Sequence, residues 1–230
     1  MMRGHEGEAE GLGRDLRLAP LMKDTLGNRA YEQIRTALMA SRFKPGEKLV
    51  LRPLAAEFRI SPTPVREALL RLVSEHALTL NHRGIVCVPR IDIPSYMEVR
   101  DLRIDLEGRA ASVAATHVTC GDIVALERDH AAFEDAECRQ EITAALEANE
   151  RFHMRLYALA EMPVLLSLIE KLWLQWCGPI FTRLYENPLP TDGNRHSIIL
   201  DGLKRRDSEM VKHGIRDDIM AGWKVISRVA

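Results

Sequence analysis

From Thr25 onward, apolar residues recur three and four positions apart. Leu26, Ala30, Ile34, Ala37 and Leu38 form one stripe of a helix that ends at Ser41, Arg42 and the turn dipeptide Pro45-Gly46. Arg52 to Phe58 predicts a short second helix with Pro53 in its first turn, where the amide it lacks has no helical partner anyway. Ser61 suits the N-cap of a third helix, with Pro62 and Pro64 in the opening turn and Val65, Ala68, Leu69 and Leu72 turned inward. Two brief strand-like runs, Leu78 to Leu80 and Ile85 to Val88, flank Asn81-His82-Arg83-Gly84 and predict a hairpin.

Beyond residue 91 the periodicity is helical throughout. Tyr96 to His117, Ile123 to Cys138, Ile142 to Leu159, Val164 to Tyr185, His196 to Leu203 and Met210 to Val229 predict about six helices, with breaks at Gly121, Pro163, Pro188-Leu189-Pro190 and Asp207-Ser208. The expected fold class is mainly α: a winged helix-turn-helix over residues 25–90, then an all-α antiparallel bundle over residues 91–230. Residues 1–24 carry Gly, Glu and Arg without periodicity and are expected to form a disordered tail.

Composition adds exclusions. With 28% charged and 46% hydrophobic residues, the chain reads as an ordinary globular protein. No apolar run is long enough to span a membrane and the first residues lack a signal-peptide pattern, so a cytoplasmic location without membrane association is expected. Cys87, Cys120, Cys138 and Cys177 lie far apart without a CxxC pair; they predict neither disulfides nor a thiolate metal site, and are expected as small buried apolar residues. The net charge of -1 conceals an asymmetry. Residues 25–90 hold eleven lysines and arginines against five acids, and residues 91–230 hold seventeen against twenty-three. A basic block beside an acidic remainder fits a nucleic-acid-binding module joined to a different domain.

Within that block, Arg66 stands one turn into the third helix, away from its apolar stripe, where a guanidinium reaches guanine edges or phosphate. Arg52 can touch the DNA backbone from the second helix, and His82, Arg83 and Gly84 can enter the minor groove or follow phosphates from the wing. The stretch Pro45-Gly46-Glu47-Lys48-Leu49, then Leu54-Ala55, then Ser61-Pro62-Thr63-Pro64-Val65-Arg66-Glu67-Ala68-Leu69 with Arg71-Leu72, resembles the GntR family of bacterial transcription regulators. The resemblance implies DNA contacts at Arg52, Thr63, Arg66, His82 and Gly84, and Ser61 and Arg83 beside them complete the candidate set. Many members carry Arg where this chain has Pro62, which implies a different operator sequence.

In the second domain Asn149 and His153 are four apart on one helix and share a face, while His196 and His213 open the last two helices among apolar neighbours. Three imidazoles and an amide oxygen suit a first-row divalent ion, zinc or nickel, with positions left for water or a ligand carboxylate. Arg103-x-x-Leu106-Glu107, Asn149-x-x-x-His153, His196 and His213 together resemble the FCD effector-binding domain of the FadR subfamily, in its shorter, VanR-like form. The resemblance implies a metal held by Asn149, His153, His196 and His213, and a small organic acid whose carboxylate pairs with Arg103. Asn149 brings no negative charge where the family usually has Asp, which predicts weaker hold on the cation. Arg103 has a second reading, an intrahelical pair with Glu107 four residues on. Trp173, Trp176 and Phe181 fit either the pocket or the core.

The expected function is a ligand-responsive, non-enzymatic regulator: a homodimer that binds a palindromic double-stranded operator and is released or rearranged by the acid. A metal-dependent hydrolase is the alternative, against which Asn149-Glu150-Arg151-Phe152-His153 lacks the first His of HExxH. An architectural DNA binder with an inert helical domain is a third reading.

Overall fold

The computed structural model describes residues 25–90, 92–186 and 195–229, and their side chains except those of 176–186, 195 and 225–229. The tail over residues 1–24 and the Pro188-Leu189-Pro190 break lie outside the described residues. The described chain runs α1 (Leu26–Met39), α2 (Leu51–Phe58), α3 (Pro62–Ser74), β1 (Thr79–Leu80), β2 (Val86–Cys87), α4 (Ile93–His117), α5 (Cys120–Cys138), α6 (Ile142–Ala158), α7 (Pro163–Glu186), α8 (Arg195–Arg205) and α9 (Ser208–Val229).

The first three helices and the hairpin make one head. Thr25 caps α1 by accepting the Asn28 amide at 3.2 Å. Arg59 ends α2 in the left-handed conformation (φ 55°), turning the chain into α3. Ser61 stands at the N-cap of α3 with extended backbone, but its side chain makes no capping bond. Val65, Ala68, Leu69 and Leu72 are the buried residues of α3, as its periodicity predicts. In the hairpin Thr79 pairs with Cys87 and Leu80 with Val86, antiparallel. The Asn81 carboxamide oxygen accepts the amides of Arg83 (2.9 Å) and Ile85 (3.0 Å), which folds the tip, and Gly84 takes φ +71° there.

The remaining helices form the bundle. Asp92 caps α4, and a reciprocal capping box of Thr119 and Asp122 opens α5. This moves the expected break: Gly121 lies inside the first turn of α5, and the chain turns at Val118-Thr119 because the box supplies the stop. α4 packs along α9, and α8 along α9. Ala110, Ala111, Ala114 and Ala115 are buried on α4, and the Ser208 hydroxyl at the start of α9 donates to the Ser112 carbonyl of α4 at 2.9 Å. The apolar core is continuous from head to bundle, where α1 meets α7. The expectation of buried cysteines holds for Cys87 and fails for Cys120 and Cys138, which sit exposed at the two ends of α5; the Cys177 side chain lies outside the described residues.

Candidate functional site

Two regions hold candidate residues. On the head, Arg52, Ser61, Thr63, Arg66, His82, Arg83 and Gly84 are all exposed. Thr63 and Arg66 stand one turn apart on α3, on the side its buried stripe leaves open, and the three wing residues occupy the hairpin tip. Their surroundings are basic and their backbone is fixed by α3 and by the Asn81 turn, an arrangement able to meet phosphates and base edges.

Inside the bundle lies a cluster of buried and half-buried polar side chains. His153 (1% exposed) of α6, His196 (4%) of α8 and Asp218 of α9 each offer a ligand atom, and these atoms lie within 4.8 Å of one another. His153 Nε2 is 3.2 Å from His196 Nε2 and 3.3 Å from Asp218 Oδ2. Asn149, one turn before His153 on α6, is also buried.

The other face of His153 fixes the orientation of its ring. Arg103 Nε donates to Glu107 Oε1 at 2.6 Å, a buried ion pair within α4 that matches the second reading of Arg103, the intrahelical pair. The Tyr157 hydroxyl donates to Glu107 Oε2 at 2.6 Å, and its oxygen is 3.1 Å from His153 Nδ1. Burial first, and the Glu107 charge second, hold the Tyr157 hydroxyl well above its ordinary pKa, so it remains a donor. With its one proton given to Glu107, the Tyr157 hydroxyl can only accept from His153 Nδ1. Nε2 is then the His153 ring atom that faces His196 and Asp218. An orienting partner of this kind typically accompanies a metal-ligating histidine.

Aromatic rings pack this arrangement. Phe152 stacks on His196 with centroids 4.2 Å apart, and Trp173 lies 5.3 Å from the His153 ring. The Arg103 guanidinium stands 5.0 Å from the Trp173 ring centroid. Trp173 thus belongs both to the core and to the wall of the site; the side chains of Trp176 and Phe181 lie outside the described residues.

The residues fit a divalent cation, since two imidazoles and a carboxylate are donors such ions take. The set differs from the sequence expectation at one position. His213 is largely exposed (69%) and its Nε2 lies 3.2 Å from Asp217, away from the cluster. Five residues separate it from Asp218, which is about 140° around a helix, so the two cannot face the same way. Asp218 takes the place expected of His213. It also supplies the negative charge that Asn149 lacks, so the expected weakening does not follow from Asn149 alone. Tyr157 is an addition to the expected set, and its spacing of four from His153 marks the shared face.

Residues 26–88 match the family described as bacterial regulatory proteins, gntR family, and residues 98–220 match the FCD domain. The chain is 31% identical over 184 residues to the HTH-type transcriptional regulator McbR of Escherichia coli K12, covering 78% of this chain and 83% of that protein. It is 30% identical over 142 residues to the Nta operon transcriptional regulator of Aminobacter aminovorans, covering 58% and 67%. Among solved structures, Escherichia coli McbR/YncC superposes with a TM-score of 0.83 at 27% identity over 90% of this chain and 99% of that one. A putative GntR regulator from Rhodococcus sp. RHA1 shares the fold, with a TM-score of 0.72 at 19% identity over 87% and 97%.

Proposed function

Because the chain belongs to the GntR family of bacterial transcriptional regulators and carries an FCD domain, a non-enzymatic class, we propose that it is a ligand-responsive regulator whose buried cluster holds a divalent metal and a small organic acid. The observation that carries this reading is the convergence of His153, His196 and Asp218 inside the bundle, with Asn149 buried one turn before His153 on α6. His153, His196, Asp218 and Asn149 hold the cation. Zinc and nickel suit the imidazoles, and the carboxylate of Asp218 extends the range toward harder ions such as manganese. When bound, the cation supplies positive charge and open coordination positions for an anionic ligand.

Arg103 is the second anchor for that anion. Its planar fork suits a carboxylate and keeps its charge when buried. Glu107 already occupies part of the fork, so an incoming acid shares the guanidinium with it or displaces it. Glu107 in turn holds Tyr157, and Tyr157 holds His153, so a change at Arg103 is felt at the metal ligand.

On the head, Arg66, Thr63 and Ser61 read DNA from α3, Arg52 contacts the backbone from α2, and His82, Arg83 and Gly84 do so from the wing. The operator is a palindrome bound by a homodimer. The acid acts by linkage: whatever factor DNA binding loses when the acid is present, acid binding loses when DNA is present.

Metal content of the purified protein and three variants tests the assignment. After incubation with zinc and removal of excess, the native protein and His213→Ala are expected to keep about one equivalent, as a single site requires. His153→Ala and Asp218→Ala are expected to lose it. Retention by both of these, or loss by His213→Ala alone, would overturn the ligand set.

A further inference from the structure

A hydrogen bond joins the end of the recognition helix to the bundle. Glu75 is the C-cap of α3, and its carbonyl lies past the last amide the helix can offer. His76 then leaves in the left-handed conformation (φ 60°). Into this position α7 sends Gln175, whose Nε2 donates to the Glu75 carbonyl oxygen at 2.8 Å from a half-buried side chain. The Glu75 carboxylate is engaged as well, by the Tyr31 hydroxyl of α1 at 2.6 Å and by Arg71 Nε at 3.1 Å. Recognition helix, α1 and α7 thus meet at one residue.

The same helix α7 walls the buried cluster. Two residues before Gln175 stands Trp173, 1% exposed, against the His153 ring and under the Arg103 guanidinium. A second tie runs in parallel: Arg42, just past α1, pairs with Glu147 of α6 at 3.6 Å, one turn and a half before His153. That pair is largely exposed (57% and 39%) and so is weakly held, whereas the Gln175 bond is directional and shielded.

We propose that Gln175 is a positioning residue of the DNA-binding head: its carboxamide caps the recognition helix from α7, so that movement of Trp173 at the buried cluster is delivered to the end of α3 as a change in where that helix is held. Displacing the Trp173 ring shifts α7, and an undistorted helix carries the shift to Gln175 within one turn. The α3 C-terminus then follows or is released. This rests on the reading of the cluster as a ligand site, but the clasp itself is independent of it.

The test is amide hydrogen exchange of residues 71–78 in the full chain, with and without zinc, in the native protein, Gln175→Leu and Gln175→Glu. Leucine keeps the bulk and removes the donor, while glutamate sets an acceptor against the carbonyl. Both variants are expected to exchange about five-fold faster in this segment than the native protein, the factor that loss of one ordinary hydrogen bond gives. Exchange in α5, remote from the clasp, is expected to stay unchanged. Zinc is expected to alter exchange of residues 71–78 in the native protein and to leave both variants as they were, at equal zinc uptake. Native exchange in the variants would overturn the clasp. An unaltered segment in zinc-loaded native protein would overturn the transmission. If the native protein takes up no zinc, the metal reading fails, and the comparison without zinc still decides the clasp.

Discussion

Tyr157 decides which nitrogen of His153 faces the cluster, because its hydroxyl is committed to Glu107 and can only accept from Nδ1. Tyr157→Phe removes that acceptor and is expected to lower zinc affinity about 10–100-fold, the usual effect of losing a ligand's orienting partner. Calorimetric titration checks this, and native affinity in the variant would sever Tyr157 from the site. A second tyrosine controls pH dependence at the head. Burial first, and then the Glu75 carboxylate, push the Tyr31 hydroxyl from 10.0 to about 12. The folded state holds this proton more tightly than the unfolded state. Its contribution is therefore complete below pH 10 and is lost as pH rises through about 12. Urea unfolding across that window is expected to show a smaller loss for Tyr31→Phe than for the native protein; equal slopes would show that another group dominates. At this scale the sequence is legible where periodicity marks the inward face. Asn149 and His153 stand out by spacing, and Val211, Ile215 and Ile219 form the α9 stripe on which Asp218 lies. His213 attracts attention by residue type but lies off that stripe.

Helices α8 and α9 bring His196 and Asp218 together, and two glycines set how closely. A Cβ on Gly202 would stand 2.8 Å from Val211 Cγ2 and 3.0 Å from the Val211 amide nitrogen, and one on Gly214 would stand 2.8 Å from Ile199 Cγ1. Backbone cannot retreat as a side chain can, so Gly202→Ala is expected to destabilise by about 1–3 kcal/mol, the range for overpacking. Zinc affinity should fall with it as the two ligand helices separate. Denaturant unfolding measures the first effect, and an unchanged midpoint would mean that the helices can slide apart freely. Element existence is well marked in this chain, since each of the six bundle helices shows its own apolar period. Their boundaries are less so: the start of α5 depends on the reciprocal Thr119 and Asp122 bonds, a local polar detail that outweighs the glycine at Gly121.

For the whole molecule, the basic head and acidic bundle follow from charge counts, and the family follows from motifs matched over both. What joins the two was not legible. Gln175 and Glu75 are a hundred residues apart, and a carboxamide meeting a main-chain carbonyl leaves no pattern in sequence. A resident metal should stabilise the whole chain by mass action. At a hundredfold excess over its dissociation constant, zinc is expected to raise the melting temperature by about 5–10 °C. His153→Ala should show no rise, and a rise equal to the native one would place the metal elsewhere.

The most direct measurement of the central claim is selection of genomic DNA fragments by the full-length protein, read by sequencing, beside an Arg66→Ala control. The account predicts that the native protein enriches fragments sharing one short palindrome, that the control enriches none, and that both take up zinc equally. Equal enrichment by the control, or fragments without a shared site across a range of salt concentrations, would contradict it.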